Sequence, residues 1–549
     1  MKRLFDYILF TVLLGSSFAA LAQQEEGAEL KPVEIEIVKE RQITLPQANR
    51  LFDKIPPRPF EPVKPEISYS FRPLSFNTPE VAPSLRPLRL KDPASADING
   101  GFLSLGYGNY ASPYVEAFFN SKQDKNKLIG AHAFYNSSAK GPVDEKNSGS
   151  GTSGISLFAQ SFSKEVAFQA DAGYENRHTH FYGYPEGTEV LRDTIRQSFN
   201  LFKAGLSISN ARNTEFAYNL GGKFSMIGDE FDAKESTIDL NFKGSYKMSE
   251  DNAIEVKADY VLINRKDLGL ETQGRSLFQL NPYYALKPAD NFKIQLGAVM
   301  AIENDTLDSG DLHFYPDVSV TYALSPSTDL VGSLSGGIDR VSLQSLVREN
   351  MWLAPAIPIY HTNRLFDTQV AVNTRVSSNL FASAGLSIAS LKNLYFFVNS
   401  SEDQSKFTTV FDDGTTFRTN LFASVGMNYS ARTKLNIRGD YYGYSTGNQA
   451  EAWHRPGYRF NISGSYDIQS KIVLSAEVFA LGNIKARGPL GETIKLDPAF
   501  DLNFRAEYFV SESFSVFLDF NNVTSNSYQL YLNYPVRKFQ GMGGITWSF

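Results

Sequence analysis

Apolar and polar residues alternate strictly over most of the chain between Gly100 and Phe549. In the segment 237–248, one set of alternate positions is apolar or small, and the other set is polar. The two sets are Ile238, Leu240, Phe242, Gly244, Tyr246 and Met248 against Thr237, Asp239, Asn241, Lys243, Ser245 and Lys247. Segments 434–441 and 501–510 repeat this pattern. A period of two predicts β-strands with one face against an apolar phase and the other against water.

The length of these segments distinguishes a membrane barrel from a soluble sandwich. Strands of sandwiches usually have about 5–6 residues, whereas about 9–11 residues are needed to cross a bilayer. Short polar turns recur near residues 124, 164, 211, 250, 289, 326, 377, 432, 469 and 512. The longer connections between them are 138–152, 176–196, 339–363, 389–418, 482–499 and 523–537. We therefore predict an all-β fold, a large antiparallel transmembrane β-barrel of about 22 strands, over residues 98–549.

Tyrosines recur just before the short turns, which predicts an interfacial aromatic girdle at the periplasmic end of the barrel. They are Tyr246, Tyr284, Tyr322, Tyr429, Tyr466 and Tyr508. The last alternating segment ends in Trp547 and Phe549. We interpret these two aromatic residues as the C-terminal signal read by the barrel-insertion machinery, and we expect Phe549 to close the last strand against the strand near 101–108.

Residues 1–22 have the features of a secretory signal peptide. Lys2 and Arg3 give the basic start, residues 8–14 the apolar core, and 20–22 read Ala-Leu-Ala, a cleavage site of small residues. Beyond it no apolar stretch is long enough for a transmembrane helix. The chain has no cysteine. The expected location is the outer membrane of a Gram-negative cell, in contact with lipid and lipopolysaccharide.

Residues 23–97 differ in composition from the barrel segment. They contain about half of the chain's 25 prolines, a density that disfavours helices and central strands and favours extended, polyproline-like chain. We predict a proline-rich periplasmic arm rather than a folded domain. The mild net charge of −6 gives no indication of nucleic-acid binding.

The ends of the barrel segment are residues 100–114, GGFLSLGYGNYASPY, and residues 534–537, YPVR, with 543–549, GGITWSF. They resemble the first hairpin and the last strand of the TonB-dependent receptors. The resemblance implies a receptor-size barrel covering residues 98–549. Members of that family carry an N-terminal plug domain of well over a hundred residues inside the barrel. The arm is too short and too proline-rich for that domain, so we expect a barrel without its plug.

One segment of the arm resembles a TonB box, which adds a strand to an energy-transducing partner. It is the alternating run Val33, Glu34, Ile35, Glu36, Ile37 and Val38. The alternative is a short apolar segment with no partner, because strand-addition segments carry little sequence specificity.

A barrel of about 22 strands encloses a lumen that has to be filled. Three fillers are open: the arm, inward-folded outer loops, or a partner protein of the outer membrane. We expect residues 43–97 to pack into or across the periplasmic mouth. The lumen face is polar and of mixed sign, as shown by Asp239, Lys243, Arg438, Asp440, Arg505 and Glu507.

The sequence shows no catalytic constellation, cofactor motif or metal site, and we predict that the protein is not an enzyme. His178 and His180 form a pair too small for a structural tetrahedral metal site. Residues 411–414, Phe-Asp-Asp-Gly, lack the ligands of a calcium loop and predict a turn. We expect solute transport or uptake, or an envelope platform. The alternatives are a scaffold subunit of an outer-membrane protein complex and a passive porin.

Overall fold

The chain forms a closed antiparallel barrel of 22 strands in a computed structural model, which describes residues 100–549 except 122–123, 125, 212–214, 306–311 and 431. The barrel strands are β1 Gly101–Gly108, β2 Ser112–Asn120, β3 Lys127–Ser138, β4 Ser150–Phe162, β5 Val166–His180, β6 Arg196–Asn210, β7 Phe216–Gly228, β8 Lys234–Lys247, β9 Asn252–Lys266, β10 Gln273–Ala289, β11 Phe292–Glu303, β12 Leu312–Ser325, β13 Thr328–Asp339, β14 Thr362–Ser377, β15 Leu380–Asn399, β16 Phe407–Ser430, β17 Thr433–Ser445, β18 Tyr458–Ile468, β19 Ile472–Gly482, β22 Ala499–Phe509, β23 Phe514–Asn521 and β26 Gln540–Ser548. The predicted fold class and strand number are confirmed.

The smaller elements lie in the connections at one end of the barrel. They are two hairpins, β20 Lys485–Arg487 with β21 Thr493–Lys495 and β24 Gln529–Tyr531 with β25 Tyr534–Pro535, the α-helix Leu343–Glu349, and the 3-10 turns Glu145–Ser148 and Arg192–Ile195. Within the described part of the chain, no helix combines the length and apolar character needed to cross a bilayer.

The barrel closes between its first and last strands, as the sequence predicts. β1 pairs with β26, and Leu105 lies opposite Ile545. The backbone N–H of Gly101 donates to the carbonyl of Phe549 at 2.8 Å, and the N–H of Phe549 donates back at 2.9 Å. Because both strands are paired on both sides, no backbone edge is left open to lipid.

Apolar side chains face outward from the barrel wall and the alternate side chains face the lumen, as the sequence predicts. All six tyrosines of the predicted girdle are exposed on the outer surface, where Tyr429 reaches 70%. Other exposed apolar side chains share this surface, including Leu240, Leu421 and Phe460. The alternate positions face the lumen. The outer surface is therefore the apolar belt that a bilayer requires.

All the predicted short turns lie at one end of the barrel, within a few residues of their predicted centres. The long connections lie at the other end, called here the long-loop end. One prediction of a long loop is wrong. Residues 389–418 are mostly strand, because β15 and β16 continue as one long hairpin beyond a bulge at Lys392 and Leu394. The turn predicted at residues 411–414 is also wrong, since these residues lie inside β16.

The signal peptide, the arm with its 33–38 segment, and the domain boundary at residue 97 fall outside the described residues.

Two adjacent glycines in β26 test the closure of the barrel. A Cβ on Gly544 would overlap both the Phe517 ring of β23 and the carbonyl oxygen of Leu105 in β1, whereas a Cβ on Gly543 would meet nothing nearer than 3.5 Å. Backbone cannot yield as a side chain does, so we expect Gly544→Ala to push β1 away from β26. The unfolding temperature, measured by heat-dependent gel migration, should fall for Gly544→Ala and stay unchanged for Gly543→Ala. Equal temperatures would show that the seam tolerates a methyl group.

Candidate functional site

The connection between β13 and β14, residues 340–361, crosses the long-loop end and is called here the cap segment. Its helix begins at a capping box. The N–H of Ser345 donates to Oγ of Ser342 at 3.2 Å, and the N–H of Ser342 donates to Oγ of Ser345 at 2.8 Å. Leu343, Leu346 and Val347 are buried together, as the spacing i, i+3, i+4 on one helix face requires. A helix of seven residues is too short to be stable alone, so packing of its apolar face stabilises it.

These helix residues enter a hydrophobic cluster called here the cap core. It consists of Tyr182, Phe199, Leu201, Ile227, Ala233, Val341, Leu343, Leu346, Val347, Leu353, Ile357, Ile359, Phe397, Phe407 and Tyr534. Its members come from the wall strands β6, β7, β15 and β16 as well as from the loops. Each large apolar side chain that is fully buried contributes roughly 1.5–3 kcal/mol. Loops and wall are thus joined by a packed core across the mouth of the barrel.

Backbone contacts also join the cap segment to the end of β16. The N–H of Phe407 donates to the carbonyl of Trp352 at 2.7 Å, and the N–H of Ala354 donates to the carbonyl of Phe407 at 2.7 Å. The hydroxyl of Thr409 donates to the carbonyl of Pro358. The cap segment therefore contacts the first residues of this wall strand, with one parallel bridge between Leu353 and Phe407.

On another wall, Arg275 of β10 joins the cap segment through a buried ionic cluster. Its Nη1 donates to Asp305 Oδ2 at 2.8 Å and to the carbonyl of Val341 at 3.1 Å. Its Nη2 lies 3.5 Å from Glu235 Oε2. Glu235 in turn accepts a hydrogen bond from the N–H of Leu343 at 3.0 Å, at the start of the helix. All three charged side chains are at most 8% exposed.

Two further arginines hold the cap segment with different degrees of burial. Arg265 of β9 is buried and donates to the carbonyl of Ile357 and to Asp267, both at 2.8 Å. Arg340 donates to Asp239 at 2.6 Å, but its side chain is 41% exposed. Removing one partner of a buried ion pair lowers stability strongly, whereas an exposed ion pair contributes little stability. Arg265 and Arg275 are therefore the main ionic contacts that hold the cap segment.

The loop 446–457 also contacts the cap segment, through Arg455. Arg455 Nη1 lies 2.8 Å from Glu349 Oε1, at the end of the helix. Tyr395 donates to the same carboxylate at 2.6 Å. Arg455 also lies over the Tyr395 ring at 4.9 Å.

Asp412 supports that loop from inside β16. Its carboxylate accepts hydrogen bonds from the backbone N–H groups of Gly447, Asn448 and Gln449, and from the hydroxyl of Thr416. The acidic pair that the sequence assigns to a turn therefore supports a neighbouring loop.

Below the cap the lumen wall carries the mixed charges predicted for it, and many of them pair locally. Arg438 donates to Asp440 at 2.8 Å, and Arg505 donates to Asp519 at 2.8 Å. Lys243 lies 3.6 Å from Glu255. These pairs place opposite charges side by side along the wall, as the sequence predicts for a lumen face of mixed sign.

The other predicted residues have clear positions. His178 and His180 end β5 instead of lying in a loop, and Nδ1 of His180 is 2.7 Å from the carbonyl of Gly149. No cluster of three or more His, Cys, Asp or Glu that could hold a metal occurs in the described ranges. The rings of Trp547 and Phe549 contact each other, 4.6 Å apart between centroids and tilted by 36°. Their role as an insertion signal stays a prediction.

Sequence reasoning missed Arg275, Glu235, Asp305 and the cap segment as a unit. Arg275 and Glu235 occupy lumen-facing positions of ordinary alternating strands, as Arg438 does. One local signal could have predicted the cap helix. Ser342 and Ser345 form a capping-box pattern, and apolar residues follow at 343, 346 and 347 inside a predicted long loop.

No family model matches this chain, and no curated protein does. The barrel is similar to solved structures. For the FrpB iron transporter from Neisseria meningitidis the TM-score is 0.67 at 10% identity, with 83% of this chain and 82% of that chain covered. For the siderophore receptor PirA from Acinetobacter baumannii it is 0.65 at 10% identity, with 83% and 81% covered. For the ferric-catecholate import receptor Fiu from E. coli K12 it is 0.62 at 9% identity, with 82% of both chains covered.

The barrel has the fold of the TonB-dependent receptors. The resemblance seen at residues 100–114 and 543–549 is thus confirmed for the fold, and the apolar belt with this fold indicates an integral protein of the outer membrane. The long-loop end of a receptor-type barrel is its extracellular end. The cap segment therefore lies at the extracellular end.

The cap contains two buried histidines whose pKa values lie far below the usual range. Burial, with Arg275 nearby, lowers the pKa of His361 to about 3, and burial lowers the pKa of His454 to about 4. His454 is held in its neutral form, since Nδ1 is 2.8 Å from the carbonyl of Phe397 and Nε2 accepts from the N–H of Leu532. Between pH ~6.5 and its own lowered pKa, each histidine destabilises the closed cap by about 1.4 kcal/mol per pH unit, because the unfolded chain binds one more proton there.

Asp305 opposes this effect in part. Burial raises its pKa to about 6 despite Arg275, so its contribution favours the closed cap as the pH falls from ~6 to ~4. Burial also raises the pKa of Glu235, so two carboxylates of the ionic cluster oppose His361, whereas His454 lies apart from that cluster. We expect His454→Gln to gain stability relative to the unmodified protein as the pH falls from ~6.5 to ~4, seen as a different slope of the unfolding midpoint against pH, because the substitution removes a proton that is taken up on unfolding. An unchanged slope in His454→Gln would contradict the assignment.

Proposed function

We propose that this chain is a receptor-type outer-membrane barrel that takes up a solute and is gated by its extracellular cap. The observation that supports this most is the packing of residues 340–361 across the mouth, held by the cap core and by buried arginines. A passive porin needs an open path, and loops packed against the wall strands at the mouth do not favour one. Gating therefore suits the geometry better than passive diffusion.

A ferric chelate is the solute class that we propose. The similar structures described above are an iron transporter, a siderophore receptor and a ferric-catecholate import receptor by their own descriptions. On the cap, Arg455 lies beside the rings of Tyr395 and Tyr531 and is paired with Glu349. A cation with aromatic rings suits an anionic catecholate complex that takes the place of this carboxylate.

The remaining predicted partners belong to the same proposal. Residues 23–97 form the periplasmic arm without a plug domain, and residues 33–38 add a strand to a TonB-like partner. Trp547 and Phe549 are read by the insertion machinery, and the apolar belt contacts lipid and lipopolysaccharide. The composition of the arm and the alternation of residues 33–38 support this proposal.

Chelate binding tests the proposed function directly. The full-length protein in detergent is titrated with a ferric catecholate and, separately, a ferric hydroxamate, with tryptophan quenching as the readout, since Trp352 lies in the cap. We expect saturable quenching by the catecholate and at least tenfold weaker binding in Arg455→Ala. Lys485→Ala, which removes an ion pair with Glu451 away from the cap helix, is the control. Absence of saturable binding for both chelates would overturn the proposal.

An envelope platform is the second candidate, and the firmness of the cap favours it. A mouth closed by a packed core and buried ion pairs suits a barrel that never opens. Leu353 and Phe407 are bridge partners, so a disulfide between Leu353→Cys and Phe407→Cys would lock the cap of this cysteine-free chain. The reduced form of the same variant, which lacks the same two core side chains, is the control. Uptake that stops on locking supports gating. A stoichiometric outer-membrane partner with no solute binding supports the platform.

A further inference from the structure

Two lysines lie directly opposite each other at the extracellular end of the outer wall. Lys234 at the start of β8 is paired with Lys266 at the end of β9, and both side chains are exposed. They share a face of their strands with Ile238 and Tyr260, which are exposed on the lipid side. Both ammonium groups are therefore carried by the lipid-facing surface and not by the lumen.

The two lysines lie at the level of the outer headgroups. Tyr246 of β8 belongs to the periplasmic girdle and is paired with Ile254 of β9. Lys234 and Lys266 each lie 12 positions from that level along their strands. A tilted strand crosses the hydrocarbon core in about 9–11 residues, so both lysines lie just beyond the extracellular boundary of that core.

The acidic neighbours of these lysines are paired elsewhere. Glu235 and Asp267, the adjacent residues in sequence, are buried and lie beside Arg275 and Arg265. Within the described part of the chain, no carboxylate oxygen lies within 4.0 Å of either lysine ammonium. Like charges directly opposite each other on a sheet are destabilising, so an anion between the two ammonium groups would stabilise this end of the sheet.

A second opposed pair of lysines, on the lumen face, has its charge compensated. Lys243 is paired with Lys257, and Nζ of Lys243 lies 3.6 Å from Oε2 of Glu255. Nζ of Lys257 lies 5.0 Å from the centre of the Tyr283 ring. The outer pair has neither kind of partner among the described residues. Its unusual feature is therefore the missing counter-charge, and not the cross-strand position alone.

Hydrogen-bonding side chains complete the site on its membrane side. Ser236 and Asn264, one step nearer the membrane on the same face, are paired with each other. Gly228 of β7 lies opposite Lys234, and Gly274 of β10 lies opposite Asn264, so the flanking strands add no side chain at these positions. The result, called here the lysine cradle, is an open site with two ammonium groups, a hydroxyl and an amide.

An apolar hollow of about 850 Å³ opens in the belt beside β8. Its floor consists of Ala159, Ala170, Ala172 and Ala204, and its edge nearest the lysines of Ile238 and Leu240. Ile238 lies four positions below Lys234 in the same strand. Pockets of roughly 300–1,000 Å³ are large enough to hold small ligands. A cationic site and an apolar hollow thus lie one above the other on the same lipid-facing surface.

We propose that this surface binds one phosphorylated lipid of the outer leaflet, with a phosphate on Lys234 and Lys266 and an acyl chain in the hollow. At the extracellular side of an outer membrane this lipid is lipopolysaccharide. A phosphate between the two ammonium groups accepts charge-assisted hydrogen bonds from both and removes their mutual repulsion. The site is independent of the proposed solute uptake, because its residues lie outside the lumen.

The position of the lysine cradle selects a lipid rather than a free phosphate ion. Basic residues next to a membrane-spanning segment attract anionic headgroups, and here the headgroup lies directly above the apolar belt. The hollow adds apolar contact that an acyl chain gains and a phosphate ion does not. A single lysine at a strand end only reaches toward water, whereas two opposed lysines place their charges where one phosphate contacts both.

Lipid binding by the full-length protein tests this site. The protein is exchanged into lipid-free detergent and titrated with diphosphorylated lipid A, and the bound lipid is counted by native mass spectrometry. We expect one tightly bound lipid A molecule. Binding should be roughly tenfold weaker, or more, in the double variant Lys234→Gln with Lys266→Gln, because both charge-assisted contacts are lost. Equal binding by this variant and the unmodified protein would overturn the proposal.

Lys392→Gln is the matched control for the lysines. Lys392 is exposed four positions beyond Ile388 in β15, just as Lys234 is exposed four positions beyond Ile238 in β8. It lies opposite Asn363 and Thr415 instead of another lysine. The control should bind lipid A like the unmodified protein. An equal loss in the control would show that any outer lysine contributes, and the paired site would be rejected.

The choice of probe separates the two sources of phosphate. Lipid A that lacks its phosphate groups should bind roughly tenfold more weakly than the diphosphorylated form, and millimolar inorganic phosphate should not displace the bound lipid. Displacement by inorganic phosphate would mean that the lysines bind the free ion, and the lipid site would be rejected. Equal binding of the two lipid A forms would also contradict it.

A separate variant tests the hollow without altering the lysines. Ala204→Phe fills the floor of the hollow and should weaken lipid A binding severalfold, because the acyl chain loses its place. Ala298→Phe, at an exposed position of β11 outside the hollow, is the control and should have no effect. Heat-dependent gel migration confirms that each barrel is folded. Unchanged binding in Ala204→Phe would contradict the placement of the acyl chain.

Discussion

Replacing Arg275 with methionine should open the extracellular mouth of the barrel. The variant leaves Glu235 and Asp305 buried without their cation and frees the carbonyl of Val341. Removing one partner of a buried ion pair costs about 3–5 kcal/mol, a large share of what holds one loop segment in place. We expect single-channel recordings in planar bilayers to show frequent large conductance steps in Arg275→Met and few in the unmodified protein.

Arg340→Met is the matched control. Arg340 also fastens the cap segment, through Asp239 at 2.6 Å, but the pair is exposed, and such pairs contribute about 0–1 kcal/mol. The control should therefore record like the unmodified protein. If both variants open equally, loss of any cap charge is sufficient and the buried cluster is not the fastening. If neither opens, packing alone holds the cap.

The barrel was predictable because its signals are local. A period of two predicts a strand and its two faces, as in residues 237–248, and a few consecutive polar residues predict a turn. Even the closure between Gly101 and Phe549 follows from the chain having two terminal strands to pair. None of these inferences needs a contact between distant side chains.

The cap was not predictable in the same way, because its contacts join residues far apart in sequence. Arg275 and Arg438 occupy equivalent lumen-facing positions in alternating strands, yet only Arg275 is buried by a loop, whose carbonyls at Val341 and Ile359 lie 66 and 84 residues away in sequence. Asp412 looked like part of a turn for the same reason. Its backbone partners at 447–449 are not neighbours in sequence.

The other large effect is expected from Phe407→Ala. Phe407 is fully buried in the cap core, where its ring lies 5.4 Å from Tyr531 and 5.6 Å from Tyr534 between centroids. Truncating a buried phenylalanine costs about 3–5 kcal/mol, because apolar contacts are lost and a cavity remains. We expect the cap to loosen, seen as proteolytic cleavage within residues 340–361 and as conductance steps.

Phe417→Ala separates the cap core from the barrel wall. Phe417 lies further along the same strand, but its ring is 45% exposed on the lipid-facing side. Both variants remove the same side chain from β16, so a general weakening of the strand would affect them alike. Opening in Phe407→Ala with a closed mouth in Phe417→Ala assigns the gate to the cap core. Opening in both would place the weakness in the wall, and a closed mouth in both would mean that Arg265 and Arg275 hold the cap without help from the aromatic core.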